Sequence, residues 1–183
     1  MTSALNPSPW YARLYGYKMG RPDEYMPLIA SVIFTYLDVN GPQIAGLLGG
    51  DPTIITPVPS KRRKYRSQPL RMVLAGKRPP DERLKHVLDF NGDASADHRH
   101  RYFPDEFAPG PEGVSGQRVL VIEDSWVTGA TCISAAGALL REGAAAIGIL
   151  PVARIVDSKF WIPEHPYRKA MEADYRPDVW PRL

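Results

Sequence analysis

A strand–helix–strand pattern in residues 118–153 constrains the fold more than any other part of this sequence. Residues 118–122 are an apolar run that predicts a strand, and a short turn then leads into a helix predicted over residues 131–142. Residues 145–153 predict a second apolar strand. Apolar strands joined through a helix are typical of a parallel sheet covered on both faces. The expected fold is therefore α/β, with a central, mainly parallel sheet flanked by helices.

The rest of the chain adds a cap and a tail to this core in one domain. Residues 1–50 are expected to form a helical N-terminal cap, in which the helix carrying Leu28 to Leu37 ends at Asn40-Gly41-Pro42. Residues 51–158 form the predicted α/β core, with further strands expected over residues 53–59 and 84–90. Residues 159–183 are aromatic and rich in proline, which predicts an irregular C-terminal tail packed on the core.

Composition excludes several classes of protein. Of 183 residues, 44% are hydrophobic and 23% charged, as in an average globular protein, so a disordered or collagen-like chain is excluded. The single cysteine, Cys132, excludes an internal disulfide and a cysteine-rich zinc site. A net charge of +3 is too small to indicate nucleic-acid binding. No apolar run reaches the ~20 residues of a membrane span, and a cytoplasmic protein is expected.

Residues that suit a sugar phosphate follow the first of the two apolar strands. Glu123 and Asp124 stand where this strand ends, which is the edge where open α/β sheets bind ligands. Their carboxylates can accept hydrogen bonds from a sugar diol, or hold Mg²⁺ directly or through water. Gly129, between Thr128 and Thr131, opens the helix, and free N–H groups there can cradle a phosphate. The segment suits ribose 5-phosphate; the alternative is a plain strand–helix crossover with an acidic strand end.

This stretch, residues 119–131, resembles the phosphoribosyl-pyrophosphate signature of type I phosphoribosyltransferases. Within that family it is most similar to the ComF-like and amidophosphoribosyltransferase-like branches, because Thr56-Pro57-Val58-Pro59-Ser60 is followed by basic residues as in ComF-like proteins. Three features depart from the pattern. Glu123 stands where Asp is usual, Val127 replaces the Asp base of hypoxanthine–guanine enzymes, and the cysteine-rich module that precedes many ComF domains is absent.

The resemblance implies a transferase that moves the phosphoribosyl group of phosphoribosyl pyrophosphate to a nitrogen nucleophile, with Mg²⁺ as cofactor. Glu123 and Asp124 would be the catalytic residues, holding the ribose hydroxyls and the metal. The 5-phosphate would be held by Ser125, Val127, Thr128, Gly129, Ala130 and Thr131. The pyrophosphate would be held by Ser60, Lys61 and Arg62, although such a basic run also suits a nucleic-acid patch or a plain charged surface.

Residues 91–117 are polar, rich in glycine and proline, and without a sustained period. A stretch of this length within a compact domain is usually functional or disordered, and we expect a mobile lid whose Arg99 and Arg101 reach toward the pyrophosphate. His98 and His100 in this stretch do not have the spacing of a metal site.

The expected partners are phosphoribosyl pyrophosphate and an unidentified acceptor, not nucleic acid or a membrane, and a homodimer is left open. Two other functions also stay open. One is a regulatory protein that binds phosphoribosyl pyrophosphate or a nucleotide without catalysis, and the other is a ComF-like accessory protein associated with nucleic acid.

Overall fold

The computed structural model describes residues 2–5, 9–19, 22–61, 67–76, 79, 81–92 and 101–156. The helices are α1 (Pro9–Met19), α2 (Pro22–Leu48), α3 (Pro69–Ala75) and α4 (Ala130–Arg141). The strands are β1 (Thr2–Leu5), β2 (Ile54–Pro57), β3 (Leu88–Phe90), β4 (Phe107–Pro109), β5 (Arg118–Glu123), β6 (Ala146–Pro151) and β7 (Ala153–Val156). The predicted tail, residues 159–183, lies outside the described residues.

A parallel sheet in the order β2-β5-β6 forms the centre of the fold. Its central strand, β5, is buried on both faces. Leu120 and Ile122 pack toward one layer of helices, while Val119 and Val121 pack toward the other. This alternation follows from the two-residue period of a strand. The predicted α/β fold, with a mainly parallel sheet flanked by helices, is confirmed.

Two helical layers cover the sheet. On one side, the three helices α1, α2 and α3 bury a continuous apolar cluster against β2, β5 and β6. On the other side, α4 packs through Cys132, Ala135, Ala138 and Leu139, together with the antiparallel hairpin formed by β3 and β4. The carboxyl ends of β2 and β5 therefore lie between two layers that can both contribute side chains.

The expected break in the N-terminal cap at Asn40-Gly41-Pro42 is wrong, because α2 continues through it to Leu48. Proline removes one backbone donor from a helix. Beyond this proline, Ile44 and Leu48 are buried in the core, so packing against the sheet stabilises the helix past Pro42. The helix that was expected to end at residues 40–42 is therefore continuous over Pro22–Leu48.

The cap also contains a strand that the apolar pattern does not indicate. The β1 strand pairs in parallel with β7, with Thr2 opposite Ala153. The predicted strand over residues 145–153 is divided at Val152, whose N–H donates to the Glu123 carbonyl at 2.8 Å. Two strands, β6 and β7, therefore replace the single one expected there.

Residues 101–117 pack against the rest of the fold. The expectation of a mobile lid over residues 91–117 is therefore wrong for residues 101–117. The Phe103 N–H donates to Ser134 Oγ on α4 at 2.8 Å, and Phe107 is buried in the pairing of β4 with β3. The predicted strand over residues 84–90 is reduced to β3, while Leu84 alone bridges to Ile55 of β2. Residues 93–100 lie outside the described part of the chain.

Within the described ranges, none of the helices combines the length and the apolar character needed to cross a bilayer.

Candidate active site at the carboxyl edge of the sheet

A cleft of about 680 Å³ opens where β2 and β5 end. Its walls come from residues 58–61 after β2, residues 68–70 at the start of α3, and residues 123–129 after β5. Residues 131–132 of α4 and Lys18 of α1 complete it. The cleft therefore brings together the basic loop after β2, the acidic pair and the glycine turn, which the sequence analysis treated as separate motifs.

Lys18 from α1 reaches the acidic pair at the floor of this cleft. Its Nζ lies 2.6 Å from Asp124 Oδ1 and donates to Ser125 Oγ at 2.8 Å. The Ser125 hydroxyl in turn donates to the same Asp124 oxygen at 3.2 Å. Asp124 is thus held by an ammonium and a hydroxyl, and one of its oxygens is largely committed to them.

The surroundings of Glu123 disfavour the ionised form of its carboxyl group. Burial and the adjacent charge of Asp124 raise the pKa of the Glu123 carboxyl well above its ordinary value, while Lys18 acts in the opposite direction. Tyr17, which is fully buried beside the pair, has its pKa raised by burial and by the two carboxylates. Its hydroxyl has no hydrogen-bond partner within the described part of the structure. Glu123 and Asp124 are therefore poorly solvated. A ligand hydroxyl group bound beside them would form a stronger hydrogen bond to a fixed acceptor there.

The turn that opens α4 depends on Gly129. This residue has φ +83°, a left-handed conformation that side chains with a Cβ rarely adopt. The Trp126 indole lies directly against it, and an ideal Cβ at this position would be 2.6 Å from Trp126 Cε2. The backbone of Trp126 is itself fixed by β7, because its N–H donates to the Ala153 carbonyl at 2.7 Å. The turn is therefore a rigid loop beneath the N-terminus of a twelve-residue helix.

The residues predicted to hold a 5-phosphate occupy this turn. Ser125, Val127, Thr128, Gly129 and Thr131 all line the cleft, whereas Ala130 starts α4 and is not among its lining residues. Val127 and Thr128 are exposed, and Thr128 Oγ1 accepts from the Ala130 N–H at 3.3 Å. The geometry places a hydroxyl and unsatisfied helix N–H groups at one end of the cleft.

The predicted pyrophosphate residues Ser60 and Lys61 lie on the opposite wall, and Arg62 falls outside the described residues. Lys61 Nζ is 3.2 Å from Glu106 Oε1 and 5.4 Å from the centre of the Phe90 ring. Glu106 is only 2% exposed, so this ammonium is held in place at the edge of the cleft. Its position ties the β3–β4 hairpin to the loop after β2.

Neither predicted lid arginine is placed over the cleft. Arg101 is exposed and is not one of the described residues that form the cleft wall, and Arg99 lies outside the described ranges. A contact between these arginines and a pyrophosphate stays a prediction.

Sequence reasoning missed Lys18, Tyr17 and Gln68. Gln68 also lines the cleft, where its Nε2 donates to the Val58 carbonyl and its Oε1 has no partner among the described residues. Lys18 does carry a signal, because it follows the buried Leu14 at a spacing of one helical turn. A lysine on the buried face of a helix indicates an acidic partner in the fold.

The expected Mg²⁺ does not fit the acidic pair in this arrangement. Protein-bound Mg²⁺ commonly uses one or two carboxylates, and Glu123 and Asp124 would satisfy that number. However, an ammonium already lies 2.6 Å from Asp124 Oδ1, where a divalent ion would meet a like charge. No cluster of three or more His, Cys, Asp or Glu side chains occurs elsewhere among the described residues.

No protein-family model matches the sequence, and no curated protein matches it. A solved phosphoribosyltransferase from Corynebacterium diphtheriae is 21% identical, with a TM-score of 0.41 over 74% of this chain and 63% of that chain. This chain thus spans less than two thirds of the length of that protein. A solved purine phosphoribosyltransferase from Pyrococcus horikoshii Ot3 is 14% identical, with a TM-score of 0.41 over 73% of this chain and 89% of that chain. Likeness at this level does not establish a family, and a function has to come from the residues of the cleft.

Proposed function

We propose that this protein binds phosphoribosyl pyrophosphate and transfers its phosphoribosyl group to a nitrogen nucleophile. One observation carries the proposal. A single cleft at the carboxyl edge of a parallel sheet is lined by an acidic pair, by a glycine turn that opens a helix, and by Lys61, whose ammonium pairs with Glu106. These three elements match the three parts of the donor, which are a diol, a phosphate and a pyrophosphate.

Each part of the cleft then has one task. The N–H groups at the start of α4, with Thr128 and Thr131, bind the 5-phosphate at a helix N-terminus. Glu123 and Asp124 accept hydrogen bonds from the ribose hydroxyls. Ser60 and Lys61 lie where the pyrophosphate would sit, and the ammonium compensates part of its charge.

The transfer breaks the bond from ribose C1 to the pyrophosphate oxygen and forms one from C1 to nitrogen. Pyrophosphate leaves with the bonding electrons, and the acceptor nitrogen loses a proton. Because C1 becomes cationic as the bond breaks, carboxylates fixed beside the ribose favour the transition state. The protein contributes position and charge, without a covalent intermediate. We assign no step of the reaction to a metal ion, because Lys18 lies beside the acidic pair where the metal ion would bind.

Calorimetric titration with ribose 5-phosphate and with phosphoribosyl pyrophosphate tests the binding. Asp124→Asn removes a charged acceptor, and loss of a hydrogen bond to a charged group costs about 1.5–3 kcal/mol, or roughly 10- to 100-fold in affinity. Asp105→Asn is the matched control, because Asp105 also forms an ion pair, with Arg141, but lies outside the cleft wall. Equal affinity of both variants for ribose 5-phosphate would contradict the assignment of Asp124.

Release of pyrophosphate across a panel of nitrogenous bases and amines separates catalysis from binding alone. We expect release with one acceptor class and none without an acceptor. Tight binding without release from any acceptor would favour the regulatory function. Salt-dependent binding of single-stranded nucleic acid, without affinity for ribose 5-phosphate, would favour the accessory function.

A further inference from the structure

The acidic pair has a cation supplied by a distant part of the chain. Lys18 belongs to α1, whereas Asp124 follows β5, and the ammonium lies 2.6 Å from Asp124 Oδ1. The lysine is positioned by its own helix, because Leu14 and Tyr17 on the same side of α1 are buried in the core. It also donates to Ser125 Oγ, which donates to the same carboxylate oxygen.

We propose that Lys18 is the resident counter-ion of Glu123 and Asp124, and that it makes binding at this pair independent of a divalent metal. The identity of the ligand in this proposal, a sugar diol, rests on the function proposed above. The acidic pair then selects a neutral diol over a divalent cation, so the lysine determines what the pair accepts.

The charges support this selection. Two carboxyl groups with one ammonium beside Asp124 keep at most one net negative charge, and a divalent ion would have to displace the ammonium or bind against its repulsion. The second lysine of the cleft, Lys61, is paired with Glu106, so Lys18 is the cation that contacts the acidic pair among the described residues that line the cleft. A diol hydroxyl is neutral and meets no such repulsion.

The acidic pair also keeps acceptor capacity for a diol. A carboxylate offers about four lone-pair sites over its two oxygens. Lys18 and Ser125 both contact Oδ1 of Asp124, and Glu123 is hydrogen-bonded to Asp124 and to the Ser125 backbone. The lone pairs that these contacts do not use can accept from hydroxyl groups. The Lys18 side chain is 35% exposed, so the ammonium can adjust as a sugar enters.

Binding of Mn²⁺ alone, followed by the paramagnetic signal of the free ion, tests the role of the counter-ion. We expect weak binding by the wild-type protein and at least tenfold tighter binding by Lys18→Met and Lys18→Gln, because both variants leave the carboxylates without a cation. Lys18→Arg keeps the charge and should resemble the wild type. The control is Lys85→Met, which removes an exposed ammonium that pairs with Glu112 away from the cleft. Equal Mn²⁺ affinity in the wild type and in both charge-removing variants would overturn the proposal.

Binding of ribose 5-phosphate, with and without a chelator, tests independence from metal. We expect the wild-type affinity to change less than twofold between EDTA and excess Mg²⁺. The affinity of Lys18→Gln should fall about tenfold in EDTA and recover with Mg²⁺. A wild-type protein that needs Mg²⁺ to bind would overturn the inference while leaving the proposed function in place. If no variant binds ribose 5-phosphate in either condition, the proposed function fails, and the Mn²⁺ titration still decides the role of Lys18.

Discussion

Replacing Gly129 with alanine should destabilise the protein by two separable effects. The first is conformational: Gly129 has φ +83°, and a left-handed conformation costs an L-residue about 1–2 kcal/mol. The second is steric, because the new Cβ would lie 2.6 Å and 2.8 Å from two ring carbons of Trp126. Overpacking of this kind costs typically about 1–3 kcal/mol. The expected loss is therefore about 2–5 kcal/mol, a large part of the ~5–15 kcal/mol by which domains are stable.

Urea denaturation measures both effects when two further variants are included. Gly116→Ala is the control for conformation alone, since Gly116 has φ +71° and open space within 4 Å of its ideal Cβ. It should lose only about 1–2 kcal/mol. In a Trp126→Ala background the indole is gone, so adding Gly129→Ala should cost no more than Gly116→Ala. The reasoning is refuted if Gly129→Ala costs no more than Gly116→Ala, or if its cost is the same with and without the indole.

Two further predictions concern ionisable groups near the cleft. The pKa of Glu123 is raised by burial, so as pH rises above its ordinary ~4.3 the unfolded chain loses a proton that the folded protein keeps, and wild-type stability falls. The melting temperature of Glu123→Gln relative to the wild type should therefore increase as pH rises above about 4. A difference in melting temperature that does not grow with pH would contradict burial of Glu123 as the cause. Burial and the charge of Glu123 raise the pKa of the Cys132 thiol to about 12. Alkylation near pH 8 should be about 10³-fold slower in native protein than in urea, and rapid native modification would show that the thiol is accessible.

The central crossover could be predicted from sequence because its signals are local and agree with one another. Residues 118–122 are uniformly apolar, and the strand is in fact buried on both faces. Gly129 and the acidic pair follow within a few residues, so the turn that carries them needs no distant information. Parallel strands expose their carboxyl ends at one edge of a sheet, and the loop after β2 accordingly lines the same cleft as the acidic pair.

The features that sequence reasoning missed all depend on contacts between distant residues. The continuity of α2 through Pro42 comes with the burial of Ile44 and Leu48 against the sheet, and burial is a property of the fold. The packing of residues 101–106 on α4 uses the small Gly137, against which Tyr102 lies. Lys18 of α1 meets Asp124 although β5 follows α1 only after two further helices and three strands. The periodicity of apolar residues within a short stretch of sequence does not indicate contacts between distant residues.

The pairing of β1 with β7 joins the first and the last of the described segments of the chain. Thr2 has its strand partner in Ala153, so the N-terminal strand has no place in the sheet until β7 exists. Contacts between such distant segments form late, because the chain between them must be ordered first. During synthesis β5 and its acidic pair emerge before β7, and α1 is anchored by its strand only afterwards. The segment that bears Glu123 and Asp124 is therefore synthesised before the partner of β1, and the β1–β7 pairing cannot form until residues 153–156 have been made.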